Sequence, residues 1–153
     1  MTASIDTLIA LAAKEVGYKE GVNNDNKYAK EIMPKTNNQP WCAIYQVWLD
    51  IKNGTGDKIL HSASCIEIEN WAIKNKMTVP LEQAKKGDLL LMDFSKSGHP
   101  QHIGRAVEDY NPKTKTVKSN EGNTGDVNQA NGDGVYTKIR QAQFIRTVVR
   151  LKY

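Results

Sequence analysis

Apolar positions recur at helical spacing from the start of the chain. Leu8, Leu11, Ala12 and Val16 fall on one face of TLIALAAKEVGY, with Ser4 and Asp6 as candidate N-caps and Gly17 as a stop. The spacing predicts an amphipathic helix. The next stretch, KEGVNNDNKYAKEIMPKTNN, is polar, with room for one helical turn around Tyr28 to Ile32 before Pro34 ends it. It reads as a surface segment of the kind that rims a site. From Trp41 to Ile51 apolar residues occupy nearly every side of a helix, which predicts a helix buried within the domain. Pro40 suits its first position, because a proline lacks the N–H that would have no intrahelical partner there, with Asn38 or Gln39 at the cap. NGTGD closes this helix. A third follows across ASCIEIENWAIKNK, with Cys65, Ile66, Ile68, Trp71 and Ala72 as its inner face.

From Gly87 onward the period changes. GDLLLMDF, HIGRAVEDY, TVKSNEG, GVYTKIR and FIRTVVRL are short runs rich in Leu, Ile, Val and Tyr, separated by Gly, Pro and Asn clusters, and they read as strands. NTGDVNQANGDG, residues 123 to 134, reads as a flexible loop. Helices first and strands afterward predict an α+β domain, with N-terminal helices packed on an antiparallel sheet of about five to six strands.

A chain of 153 residues has the length of one domain. The formal charge of +4 comes from lysines scattered through loops and strands, without the dense basic run of a nucleic-acid groove, and supports at most a mild attraction to an anionic polymer. Neither a membrane span nor the basic start, apolar middle and cleavage site of a signal peptide is visible, so membrane insertion is not expected and synthesis in a cytoplasm without a leader is. Two cysteines in unlike surroundings suggest neither a disulfide framework nor a zinc ribbon, although one disulfide between them is compatible with the sequence.

Chemistry enters at QPWCAIYQVW. A buried cysteine is usually a small hydrophobe, but Cys42 falls in the first turn of its helix, where unpaired N–H groups and the helix dipole favour a thiolate. Such a nucleophile needs a base. His102 opens a strand, and pairing HIGRAVE with TVKSNEG as a hairpin, Glu108 against Thr116, brings it opposite residues 121 to 123. Glu121 and Asn123 therefore compete to accept the Nδ1 proton and orient the imidazole. Gly104 and Ala106, on the histidine's side of the strand by the period of two, are small enough to let the helix of Cys42 pack close.

In that order and spacing, QPWCAIYQVW, KKGDLLLMDF, QHIGRAVE and SNEGNT resemble the CHAP family, the cysteine, histidine-dependent amidohydrolases and peptidases of peptidoglycan, particularly its phage endolysin branch. The resemblance covers nearly the whole chain and implies a papain-like fold. It implies Cys42 as nucleophile, His102 as general base, Glu121 as the orienting residue and Asn123 as an auxiliary polar group in the cleft. Arg105 departs from the family's pattern, standing where an apolar residue is usual.

Other residues have plainer readings. Cys65 reads as core. His99, three residues before His102, suggests a zinc pair, but no further ligands cluster there, and a solvated loop histidine is the simpler account. NNDNKYAKE has one aspartate and no EF-hand spacing, so no calcium site is expected, and no other metal or cofactor. Trp48 and Trp71 read as core. Trp41, beside the cysteine, is either core or a wall of the cleft, and Gln39 either caps the helix or lends a donor to an oxyanion hole. The expectation is a monomeric peptidoglycan hydrolase, a phage or prophage lysin acting on the bacterial wall from a holin-type lesion or from outside. The alternative is a catalytically silent wall-binding or virion structural module of the same fold, with a zinc hydrolase using His99 and His102 a distant third.

Overall fold

Every residue from Cys42 to Asp50 is buried, and the fold is arranged around the helix that contains them. The computed structural model describes residues 2–125 and 131–153, with side chains from Ile5 onward. Among the described residues four helices, α1 (Thr2–Glu15), α2 (Lys27–Ile32), α3 (Cys42–Lys52) and α4 (Cys65–Lys74), precede or flank six strands. The strands are β1 (Thr78–Val79), β2 (Leu89–Met92), β3 (His102–Ala106), β4 (Thr116–Thr124), β5 (Gly134–Gln141) and β6 (Ile145–Val149). They form one sheet in the order β1-β6-β2-β3-β4-β5, antiparallel throughout. The domain is α+β, as the change of period predicts. No helix among the described residues is long and apolar enough to cross a membrane.

The sheet buries both faces. Leu89, Leu91, Ile103 and Val149 meet α3 and α4 through Ala43, Val47, Ile68 and Ala72, while Leu90, Met92, Ala106, Val117 and Val148 form a smaller core on the opposite side. A third cluster, between α1, α2 and α3, is aromatic: Tyr28 lies within 4.9 Å of Tyr45 and 4.8 Å of Trp48, ring to ring, with Trp41 at 5.4 Å.

Several local expectations change. α1 already runs from Thr2, so Asp6 lies inside it and pairs with Lys86 at 2.7 Å, while the Ser4 side chain is outside the described residues, as are 126–130 of the expected loop. Gly17, at φ 101, ends the helix in the left-handed region that favours glycine. α3 begins at Cys42 with Trp41 as its N-cap residue, so neither Asn38 nor Gln39 caps it and Pro40 lies before the cap. The buried indole, bonded to Glu20 at 2.8 Å, fixes Trp41 outside helical geometry. On α4 the inner face is Cys65, Ile68 and Ala72 with Trp71 packed beside them, as expected, whereas Ile66 is exposed.

The residues of β3 that meet α3 are Ile103 and Arg105, not Gly104 and Ala106. Arg105 is fully buried, its guanidinium bonded to Asp50 at 2.6 Å, to Gln46 Oε1 at 3.0 Å and to the Tyr153 hydroxyl at 2.9 Å. Tyr153 donates in turn to Asp50 at 2.6 Å. Gln46 and Asp50 lie four apart on one face of α3, so the helix offers an amide and a carboxylate together to one cation. Close approach of α3 is allowed by Gly122 of β4, where a Cβ would fall 2.7 Å from Trp41 and 2.8 Å from Tyr45.

Removing one member of a buried pair strands the other. Asp50→Ala is expected to cost about 3–5 kcal/mol in urea denaturation, and replacing both partners by Leu and Met to recover most of it. A loss below about 1 kcal/mol for the single variant would mean that the guanidinium finds other compensation.

Candidate active site

Two helix starts and one strand start converge on a pair of sulfurs. Cys42 is the first residue of α3 and Cys65 the first residue of α4, and their Sγ atoms lie 3.7 Å apart, both thiols free and buried. The start of α4 is fixed by the serines and glutamate of SASCIE: Ser64 Oγ accepts from Glu67 N–H at 3.2 Å, and Ser62 Oγ donates to the Glu67 carboxylate at 2.6 Å. The start of α3 is fixed by Trp41 in its aromatic cluster, with Tyr45 N–H on the Trp41 carbonyl at 2.9 Å.

His102 opens β3. Its pairing with β4 is Arg105 with Asn120 and Ala106 with Ser119, one residue away from the alignment of Glu108 with Thr116. In a sheet one residue of register exchanges the faces. The observed register sets Ser119 and Glu121 on the same side as Gly104 and His102, and His102 Nε2 meets Glu121 Oε1 at 2.8 Å. Gly104 is small for this reason: a Cβ there would fall 2.1 Å from Ser119 Oγ and 2.7 Å from Glu121 Cγ. The carboxylate therefore takes Nε2, not the expected Nδ1. It is an acceptor only, so Nε2 carries the proton and Nδ1 is the nitrogen left for Cys42.

Glu121 is also held by Arg140 of β5, whose Nε donates to Oε2 at 2.8 Å and whose terminal nitrogen bonds Oε1. Burial alone would push this carboxyl up, but the Arg140 hydrogen bond and the His102 charge outweigh it and hold it down at about 2. Burial likewise opposes the charge on His102, yet Glu121, with the Cys42 sulfur, raises the imidazole to about 9. Cys42 is held well below the ordinary thiol range, chiefly by the hydrogen bond from Cys65; burial works against this, and the His102 charge and the Ile103 backbone N–H add to it. Ile103 has that N–H to give because the β3–β4 pairs end at Arg105 with Asn120. Cys65 is pushed well above the thiol range, first by Cys42 and then by burial, so the pair shares one proton and Cys65 keeps it. His102 Nδ1 is buried, and the Cys42 sulfur couples to the ring through hydrogen bonding as well as charge.

Asn123 is brought near but not into this row. It sits at φ 55 where β4 bulges away from β5, its Nδ2 donates to Asn131 at 3.1 Å, and its buried Oδ1 has no partner. Trp41 is fully buried with its indole N–H bonded to Glu20, so it is core and offers a ligand no wall. The aromatic ring that does face the imidazole is half-buried Phe94, centred 6.0 Å from His102 and 5.0 Å from the Arg140 guanidinium. Gln39 is exposed in the loop before α3. His99 is exposed and shares a 2.6 Å contact with Ser97 Oγ. Among the described residues no group of three or more His, Cys, Asp or Glu side chains could hold a metal ion. A cavity of about 660 Å³ lies at the other end of β2, lined by Met77, Gly87, Leu151 and Tyr153, away from this chemistry.

Cys65, Arg140, Phe94 and the Ile103 N–H escape the sequence reading. One signal for Arg140 was available: in GVYTKIR the inward positions carry Tyr136, Lys138 and Arg140, while Ile139 is exposed, so an arginine points in where an apolar residue points out. No family model, no curated protein and no solved structure matches the chain.

The sign of each shift sets a pH dependence. His102, raised from 6.5, contributes stability that is complete below 6.5 and lost as pH rises through about 9; Glu121, lowered from 4.5, contributes stability that is complete above 4.5 and lost as pH falls through about 2. Their joint contribution is therefore greatest between 4.5 and 6.5. Glu121→Gln is expected to bring the His102 titration, followed by imidazole NMR, down from about 9, since burial is then opposed by the Cys42 sulfur alone. A titration that did not move would take the orienting role away from Glu121.

Proposed function

We propose that the protein is a cysteine-dependent peptidoglycan hydrolase of the CHAP type, with a papain-like fold, cleaving an amide of the bacterial wall as an endopeptidase or as an N-acetylmuramoyl-L-alanine amidase. The observation that carries this reading is the row Cys42, His102, Glu121: a thiol at a helix start, an imidazole beside it, and a carboxylate on the imidazole's far nitrogen. Helices laid on an antiparallel sheet, with the thiol on a helix and the imidazole on a strand, support the papain-like assignment. The choice of peptidoglycan comes from the motif resemblance, and the phage origin with it.

In this mechanism the Cys42 thiolate adds to the amide carbonyl carbon. The oxyanion takes hydrogen bonds from the Cys42 N–H, which has no intrahelical partner at that position. The His102 imidazolium gives its proton to the leaving amine as the C–N bond breaks, forming a thioester. The neutral imidazole then takes a proton from water, which attacks the thioester and returns the enzyme to thiolate and imidazolium. Glu121, fixed by Arg140, keeps the ring oriented through both steps and stabilises its charge before the first proton transfer and after the second. Gln39, exposed in the loop three residues before Cys42, is proposed as a further substrate contact. Phe94 is better placed than Trp41 to contact one.

The test is mass spectrometry of fragments released from purified peptidoglycans of several crosslink types by the native protein and by Cys42→Ser. New amino and carboxyl termini should appear with the native protein alone, and they name the bond. Lysis should fall as pH rises through about 9, where His102 loses the proton that the leaving amine needs. No fragments from any wall would turn the reading to a binding or structural module, and activity that survived thiol alkylation would remove Cys42 from the chemistry.

A further inference from the structure

Cys65 makes and breaks no bond in the hydrolytic steps, where it only hydrogen-bonds the nucleophile, yet a second thiol stands beside the first. Both sulfurs stand at the first position of a helix, 3.7 Å apart, with Cys42 5% and Cys65 9% exposed. A disulfide S–S bond is about 2.0 Å long, so the two atoms need to close by about 1.7 Å. Serine or alanine would fill the start of α4 equally well and leave the thiolate without a sulfur neighbour.

We propose that Cys42 and Cys65 are a modification site, a dithiol that peroxide converts to a disulfide and a thiol reductant restores, storing the nucleophile in a protected, inactive form. The effect on activity rests on the hydrolase reading; the sulfur chemistry does not.

The arrangement assigns each sulfur a step. Cys42 bears the negative charge and attacks one oxygen of hydrogen peroxide; the O–O bond breaks, hydroxide leaves, and Cys42 becomes a sulfenic acid. Cys65 was kept protonated first by its hydrogen bond to the Cys42 thiolate, then by burial and by the Cys42 charge, and of these the thiolate's hydrogen bond and charge are now gone. Its thiol can then ionise against the N-terminus of α4. The Cys65 thiolate attacks the Cys42 sulfur, the S–O bond breaks, and the hydroxide released takes a proton, from His102 or water, to leave as water. The two sulfurs lose two electrons and the peroxide gains them. With no second thiol in reach, a sulfenic acid instead meets further peroxide and climbs to the sulfinic acid, which thiol reductants do not reverse.

The experiment exposes the full chain, fully reduced, to hydrogen peroxide, and follows intact mass, thiols open to alkylation after unfolding, and wall lysis before and after dithiothreitol. The native protein should lose two hydrogens and both alkylatable thiols, lose lysis, and regain all three with dithiothreitol. Cys65→Ser, with Cys65→Ala as a second variant should one of them fail to fold, should gain two oxygens and lose its own starting activity for good. A native protein that takes up oxygen while keeping one alkylatable thiol overturns the proposal, and so does a disulfide that leaves lysis unchanged. Reversible disulfide formation in a protein that lyses no wall when reduced supports the dithiol and overturns the hydrolase reading, so the two are separable.

Discussion

A carboxylate without water must be paid for in cations, and Glu121 has two. Arg140 holds it from β5 and His102 from β3, so Glu121 ties three neighbouring strands together at the end of the sheet where α3 begins. With Cys42 the charges alternate along the row: guanidinium, carboxylate, imidazolium, thiolate. Each buried ion is compensated by the next, and removing any one leaves an unpaired charge in a dry site. The glycines follow from the same requirement. Gly104 clears the path of the Glu121 side chain, and Gly122 lets α3 settle low enough on β4 for its first residue to reach the row.

The larger elements were legible because their patterns are strong. The all-round apolar run of α3 and the short Val- and Ile-rich strands could form little else, and Cys42 and His102 stood out by chemical type at a helix start and a strand start. What was missed depended on small displacements. The start of α3 moved because burying Trp41 outweighed the preference of Pro40 for a first helical turn. A single residue of register decides which side of β4 the histidine meets, and the two strand sequences do not by themselves fix the register to one residue. Arg105 looked misplaced on an apolar strand, since only the folded chain brings Asp50 and Tyr153 to it across long separations. Cys65 is core, as read, but the closeness of its sulfur to Cys42 was not legible because the two stand twenty-three positions apart on different helices.

The two buried ionic groupings divide the labour. One, around Glu121, is partly built from groups that change protonation near neutral or mildly alkaline pH, and it sits where the sheet pairing frays into a bulge at Asn123. The other, around Arg105, is built from a cation that does not titrate in ordinary conditions and lies under the middle of α3. A charge that must come and go needs a frame that stays fixed, and the second grouping supplies it by locking the helix to the sheet.

Tyr153 closes that lock. Its hydroxyl reaches Asp50 across a separation of 103 residues and Arg105 across 48. During synthesis α3 and β3 leave the ribosome long before this residue does, so the helix–sheet joint waits with a buried-to-be cation and carboxylate incompletely satisfied until the chain has been made through position 153. The joint thus closes by contacts of long sequence separation: the thiol and the imidazole precede, along the chain, the hydroxyl that completes the clamp holding their helix and strand together.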